Sequence, residues 1–135
     1  MVECKNGGRI VNTASVAGLN ASGTLAGGMS HYGLSKAALI NMTKNAAIEY
    51  IPERIRVNAV APSTIETPMV KAFIEASENP EMMRKQANMN NPMGQHDGLL
   101  PQVSDVTGVV SFLVGPDAKY INGQTISIDG GYTVQ

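Results

Sequence analysis

Two short runs rich in β-branched residues, Arg9-Ile10-Val11-Asn12-Thr13-Ala14-Ser15 and Ile55-Arg56-Val57-Asn58-Ala59-Val60-Ala61, bracket a segment of helical periodicity. That order constrains the fold more than anything else in the chain. The first run follows a Gly-Gly turn and the second stops at Pro62, so each reads as a short buried strand of the parallel-sheet type. Between them, from about His31 to Tyr50, Leu39, Met42 and Ala46 recur at steps of three and four, with Ile40 and Ala47 alongside. This spacing predicts a helix whose broad apolar face covers the sheet, ended by Pro52. Strand, helix and strand in this order make a βαβ unit, for which a right-handed crossover is expected.

The remaining segments extend the same α/β pattern. Val16 to Ser30, with glycines at 18, 23, 27 and 28, reads as a mobile loop. Ser63 to Met69 is a second loop, carrying Thr64, Glu66 and Thr67, and Pro68 is placed to open a helix behind a Thr67 cap. Val70 to Asn91 predicts two short helices broken near Asn79-Pro80. The thioethers of Met82, Met83, Met89 and Met93 are suited to an adaptable pocket under a lid, and equally to filling a core gap. Gln95 to Leu100 reads as a loop. Val103, Val106, Val110 and Leu113 then predict a further amphipathic helix, beginning between Pro101 and Ser104 and ending by Gly115-Pro116. Gln124-Thr125-Ile126-Ser127-Ile128 alternates like a strand, and Asp129-Gly130-Gly131 turns it out of the sheet. Three parallel strands with flanking helices are therefore expected, in one domain over residues 1–135.

Composition excludes several functions. The 135 residues carry a net charge of -1 with the charges scattered, so there is no basic stripe for nucleic acid. A single cysteine, Cys4, excludes an internal disulfide and a cysteine-rich metal site. No stretch approaches the ~20 apolar residues of a membrane span, and a soluble, cytoplasmic protein is expected.

Three side chains invite chemistry. Ser15 falls at the carboxyl end of the first strand, the edge at which open α/β sheets bind ligands, although a serine there also serves as a turn or cap residue. Tyr32 and Lys36 stand four residues apart at the start of the predicted helix, on one face. A cation beside a phenol favours the phenolate, which permits proton exchange with a substrate hydroxyl or carbonyl. Taken alone, such a spacing describes a surface pair as well as a catalytic one.

Five motifs in order make the pattern specific. Ile10-Val11-Asn12-Thr13-Ala14-Ser15-Val16-Ala17-Gly18, Tyr32-Gly33-Leu34-Ser35-Lys36-Ala37-Ala38, Arg56-Val57-Asn58-Ala59-Val60-Ala61-Pro62, Thr67-Pro68-Met69, and Ile121-Asn122-Gly123-Gln124 with Asp129-Gly130-Gly131 resemble the classical short-chain dehydrogenase/reductase (SDR) family. The resemblance covers essentially the whole chain, but only the C-terminal half of the family's Rossmann-like, doubly wound parallel sheet. It implies an NAD- or NADP-dependent oxidoreductase that interconverts a secondary alcohol and a ketone. Ser15 would polarise the substrate oxygen and Tyr32 would be the general acid/base. Lys36 would favour the ionised phenol and bind the nicotinamide ribose. Pro62, Ile65 and Thr67 would receive the nicotinamide carboxamide, and the segment from Thr67 to about Pro92 would close over a moderately apolar substrate. The family also implies a homodimer or homotetramer for the full-length form.

Three departures from the family pattern stand out. Ser63 replaces the glycine usual after this proline, and the loop between Ser15 and Tyr32 is longer than usual. The Gly-rich turn that would place a pyrophosphate on a helix N-terminus is absent, together with the residue that selects NAD or NADP and the asparagine of the family's catalytic tetrad. With only the last three strands, one sheet edge and the outer face of the His31–Tyr50 helix are expected to lie open, which predicts aggregation or pairing with another chain. Two readings follow: an oxidoreductase chain present as a truncated form, inactive alone, or a non-catalytic remnant that acts as an interaction module with a full-length relative.

Overall fold

Gly7, at φ 71°, turns the chain into β1 (Gly8–Thr13), which pairs in parallel with β2 (Ile55–Pro62). In this computed structural model, which describes residues 1–3, 5–20, 29–89 and 91–134, β2 also pairs in parallel with β3 (Thr125–Ile128). The strand order is β1-β2-β3, with Arg9 opposite Arg56 and Ala59 opposite Thr125. Cys4 and residues 21–28, with the glycines at 23, 27 and 28, lie outside the described residues.

The strand residues divide by parity between two layers, as the two-residue period of a strand requires. Ile55, Val57 and Ala59 of β2 pack against α1 (Ser30–Glu49), meeting Ala47 and Ile40. Val60, on the opposite face, packs with Leu113 of α5 (Val103–Val114), joined by Val11 of β1 and Ile126 of β3. Burial on both faces explains why β2 runs apolar from Ala59 to Pro62.

The polar residues inside β2 join the strand to its neighbours. The Arg56 guanidinium donates to the carbonyls of Leu113 at 2.9 Å and Ile121 at 3.0 Å, closing the C-terminal end of α5. Asn58, wholly buried, donates to the Ile121 carbonyl and accepts from the Gln124 amide, both at 3.0 Å. Asn122 accepts from the Val57 amide at 2.9 Å and donates to the Ala47 carbonyl at 2.8 Å. These bonds make the segment before β3 part of the sheet's polar frame.

Some sequence expectations change. Met42 is 53% exposed, so the buried stripe of α1 is Ile40, Thr43 and Ala47. Thr43 tolerates burial because its hydroxyl donates to the Leu39 carbonyl at 2.8 Å and accepts from Asn12 Nδ2 at 2.9 Å. Leu34, Met42 and Ile48 are exposed on the side of α1 away from the sheet. β1 stops at Thr13, two residues before Ser15.

The chain after β2 forms α2 (Pro68–Glu75), α3 (Pro80–Met89) and α4 (Pro92–Asp97), with Ile74, Ala87 and Leu100 at the centre of their own small core. α4 replaces the expected loop over its first residues. Pro92 starts it and Gly98, at φ 76°, caps it in the left-handed conformation. Met83 alone of the four methionines joins this core, while Met82, Met89 and Met93 are exposed. Among the described residues no helix is long and apolar enough to cross a membrane.

Candidate active site

A cavity of about 530 Å³ opens where β1 and β2 end, and its lining includes Ser15, Tyr32, Lys36, Pro62, Ile65 and Thr67. The structure thus brings together all six residues singled out from the sequence. Each reaches the cavity for a separable local reason.

Ser15 caps a 3₁₀ turn, Val16–Gly18, its Oγ accepting from the Ala17 amide at 3.2 Å. The capping role uses the hydroxyl only as an acceptor, so its proton remains free to donate into the cavity. Tyr32 and Lys36 lie one turn apart on α1, with Lys36 Nζ 5.5 Å from the Tyr32 ring centroid. Lys36 Nζ also donates to the Thr13 carbonyl at 2.9 Å, which ties the helix to the end of β1 across 23 residues.

Two glycines let the Ser15 turn lie on the backbone of α1. A Cβ on Gly18 would stand 2.6 Å from the Lys36 carbonyl carbon, and one on Gly33 would stand 2.9 Å from the Ala17 oxygen. Any side chain at either place would push Ser15 away from Tyr32 and Lys36. The Tyr32-Gly33 and Ala17-Gly18 pairs are therefore packing partners as well as neighbours of chemical residues.

The second wall follows β2. Thr67 Oγ1 accepts from the Val70 amide at 3.2 Å and Pro68 occupies the first turn of α2, the cap read from the sequence. The Thr67 amide donates to the Ile65 carbonyl at 2.8 Å. Ser63 lines the cavity with its Oγ enclosed and without a partner. Glu66 stands at the hub of a polar cluster, accepting from Gln102 Nε2 at 2.8 Å and Arg84 Nη1 at 3.1 Å, with Lys71 Nζ at 4.0 Å. The Gln102 bond first, then Arg84, holds its carboxyl below the ordinary value. That cluster pins the loop before α2 to α3 and to the start of α5.

Sequence reasoning missed Met29 and Tyr132, which also line the cavity, while Met69 of the Thr67-Pro68-Met69 motif joins them there. Tyr132 follows the Asp129-Gly130-Gly131 turn, where Asp129 accepts from the Gly131 amide and from the amide and hydroxyl of Thr133. Burial by itself raises the Asp129 carboxyl, and these bonds outweigh it, leaving the group below its ordinary value. The available signal was an aromatic residue just beyond the carboxyl end of β3, the same edge as Ser15.

The chain matches, over residues 2–133, the family model described as Enoyl-(Acyl carrier protein) reductase. A tropinone reductase homologue of Arabidopsis thaliana is 39% identical over 99% of this chain and 45% of its own length. A cyclohexanol dehydrogenase of an Acinetobacter species is also 39% identical, over 94% of this chain and 44% of its own. Among solved structures, 4-hydroxyisoleucine dehydrogenase complexed with NADH superposes at a TM-score of 0.83 with 30% identity, over 98% of this chain and 50% of that one. ElxO with NADP bound gives 0.79 and 35%, over 94% and 47%. The chain spans about half the length of the relatives it matches. With its parallel sheet, its ordered motifs and these matches, the chain belongs to the short-chain dehydrogenase/reductase family.

Proposed function

We propose that the cavity is the alcohol/ketone site of an NAD(P)-dependent oxidoreductase. The observation that carries this reading is the meeting of Ser15, Tyr32 and Lys36 in one cavity at the carboxyl edge, with Lys36 Nζ bonded to the Thr13 carbonyl. In the oxidising direction the substrate hydroxyl gives its proton to the Tyr32 oxygen; in reduction Tyr32 returns a proton to the carbonyl oxygen. Ser15 donates its hydroxyl proton to that same oxygen and stabilises negative charge on it. The Lys36 ammonium, its Nζ 5.5 Å from the Tyr32 ring centroid, brings positive charge beside that phenol.

The wall from Pro62 to Thr67 fits the nicotinamide end of a dinucleotide. Ser63 Oγ lacks a partner, the Thr67 hydroxyl keeps its proton to donate, and Lys36 uses one of its donors on Thr13. Ser63, Ile65 and Thr67 would hold the carboxamide and Lys36 the ribose. When bound, the dinucleotide supplies or takes up the hydride. The largely apolar lining of Ala14, Val16, Met29, Ile65, Met69 and Val70 favours a moderately apolar secondary alcohol or its ketone as the small-molecule substrate. The relatives named for tropinone and cyclohexanol agree with that class.

A second reading, an interaction module that docks to a full-length relative, draws support from the exposed Leu34, Met42 and Ile48 and from β1 standing at a sheet edge. One experiment separates the two. NADH and NADPH binding and cyclohexanol oxidation are measured on the purified chain, alone and with the separately produced amino-terminal half of a relative. The oxidoreductase reading expects little activity alone and turnover in the mixture that Tyr32→Phe abolishes. Turnover unaffected by Tyr32→Phe removes the reading.

A further inference from the structure

A second cavity, of about 610 Å³, lies at the opposite, amino-terminal edge of the sheet, and four cationic residues line it: Arg9, Arg54, Arg56 and Lys119. They gather at the starts of the three strands: Arg9 is the second residue of β1, Arg54 immediately precedes β2, Arg56 is the second residue of β2, and Lys119 stands in the turn ahead of β3. Among the described residues no acidic side chain lines the cavity. Such a concentration of one sign is unexpected in a chain whose net charge is -1.

The four are not used alike. Arg56 spends its guanidinium on the carbonyls of Leu113, Gly115 and Ile121, a structural task. Burial, and to a lesser degree the nearby Arg9, hold it below its ordinary value. Among the described residues the ion pairs all fall on Glu66, so Arg9, Arg54 and Lys119 have no carboxylate within 4.0 Å. Arg54 adds an independent observation. Its backbone sits at φ 57°, in the left-handed region that disfavours a Cβ and suits glycine. Its carbonyl accepts from the Gly8 amide at 3.2 Å, and Gly7 has room for no side chain against that same oxygen. Arg54 thus sets a cationic side chain, from a backbone conformation that glycine would adopt at lower cost, beside two further cations with no carboxylate partner.

We propose that this cavity binds a small phosphorylated ligand, its phosphate held by Arg9, Arg54 and Lys119. Phosphate matches the site better than a single carboxylate, because it brings up to two negative charges and three oxygens to guanidinium forks set around a common space. The volume exceeds what one phosphate needs and leaves room for a sugar-sized remainder.

The test titrates the full chain with ribose 5-phosphate and with inorganic phosphate at about 0.15 M salt, which screens diffuse surface attraction. Ribose serves as the neutral control. Binding is followed by amide NMR shifts. Both phosphates are expected to saturate, with ribose 5-phosphate the tighter, while ribose produces no shifts. The shifts should gather at residues 7–9, 54–56 and 119–122. Arg54→Gly, which relaxes the backbone while removing the charge, and Lys119→Gln should each weaken binding by about tenfold. Lys36→Ala, at the other edge, should leave phosphate affinity unchanged. Failure to saturate, shifts gathered around Ser15 and Tyr32, or unchanged affinity in either amino-edge variant would overturn the proposal. Ribose 5-phosphate binding no tighter than phosphate would reject the ester and its sugar-sized remainder. None of these results depends on the oxidoreductase reading.

Discussion

The two edges of the same three-stranded sheet are built in opposite ways. At the carboxyl edge the strands stop and hand over to turns that converge, and the one lysine of the cavity is bonded to the Thr13 carbonyl. At the amino edge the cations outnumber the groups that could satisfy them. The first cavity offers a few directed polar atoms on an apolar wall, an arrangement that orients a substrate. The second gathers cations without carboxylate partners around one space, an arrangement that attracts an anion. A parallel sheet allows this division because all its strands run the same way, so the residues before and after the strands fall on separate ends.

The largest effect expected is at the carboxyl edge. In the reconstituted mixture Tyr32→Phe should lower turnover by roughly 100-fold or more while leaving the Lys36 bond to Thr13 in place. A drop below tenfold would erase the chemical contrast between the edges. Asn58→Ala should then cost about 2–3 kcal/mol of stability, since it leaves the Gln124 amide without its partner in a buried frame and the Ile121 carbonyl with Arg56 alone. Denaturant unfolding measures this, and a loss under 1 kcal/mol would show that water replaces the side chain.

Gly18→Ala tests whether the Ser15 turn is pressed onto α1. A cost of about 1–3 kcal/mol is expected from the approach to the Lys36 backbone. Gly108→Ala is its counterpart. That glycine lies within α5 with open space around its Cβ position, so alanine should stabilise by about 1 kcal/mol. Thermal unfolding of the two variants should therefore move in opposite directions.

The smallest effect concerns pH. Glu66 and Asp129 are held below their ordinary values of 4.5 and 3.8, so the stability they add is present above those values. It is lost as pH falls through the lower, folded-state values. Glu66→Gln should thus be less stable than the parent at neutral pH and converge with it on acidification below about pH 4.5. Parallel melting curves across that range would show that the Glu66 cluster does not hold the loop.

Much of the carboxyl edge was legible in the sequence because its signals are local. A four-residue spacing stacks Tyr32 over Lys36 in any helix, and Thr67-Pro68 announces its own cap. Ser15 was legible as both a cap and a site residue, and the structure gives it both positions. Met42 misled because three apolar residues at helical steps fit more than one stripe, and only packing on Ala59 and Val57 selects the one through Ile40 and Ala47. The six residues of α4 are too few to display a period, although the Pro92 and Gly98 boundaries were visible. What each site residue does remains the subject of the Tyr32→Phe experiment.

The sequence by itself determined the order of the strands and longer helices, the Thr67 cap and the family motifs, because each rests on backbone preferences and on residues a few positions apart. Tertiary structure alone decided the rest. The Lys36 bond to Thr13, the seat of Gly18 on the α1 backbone, the arrival of Tyr132 at the first cavity and the gathering of Arg9, Arg54 and Lys119 at the second all join residues far apart in the chain. Such contacts depend on how the strands register and which helix face is buried, and no local propensity encodes either.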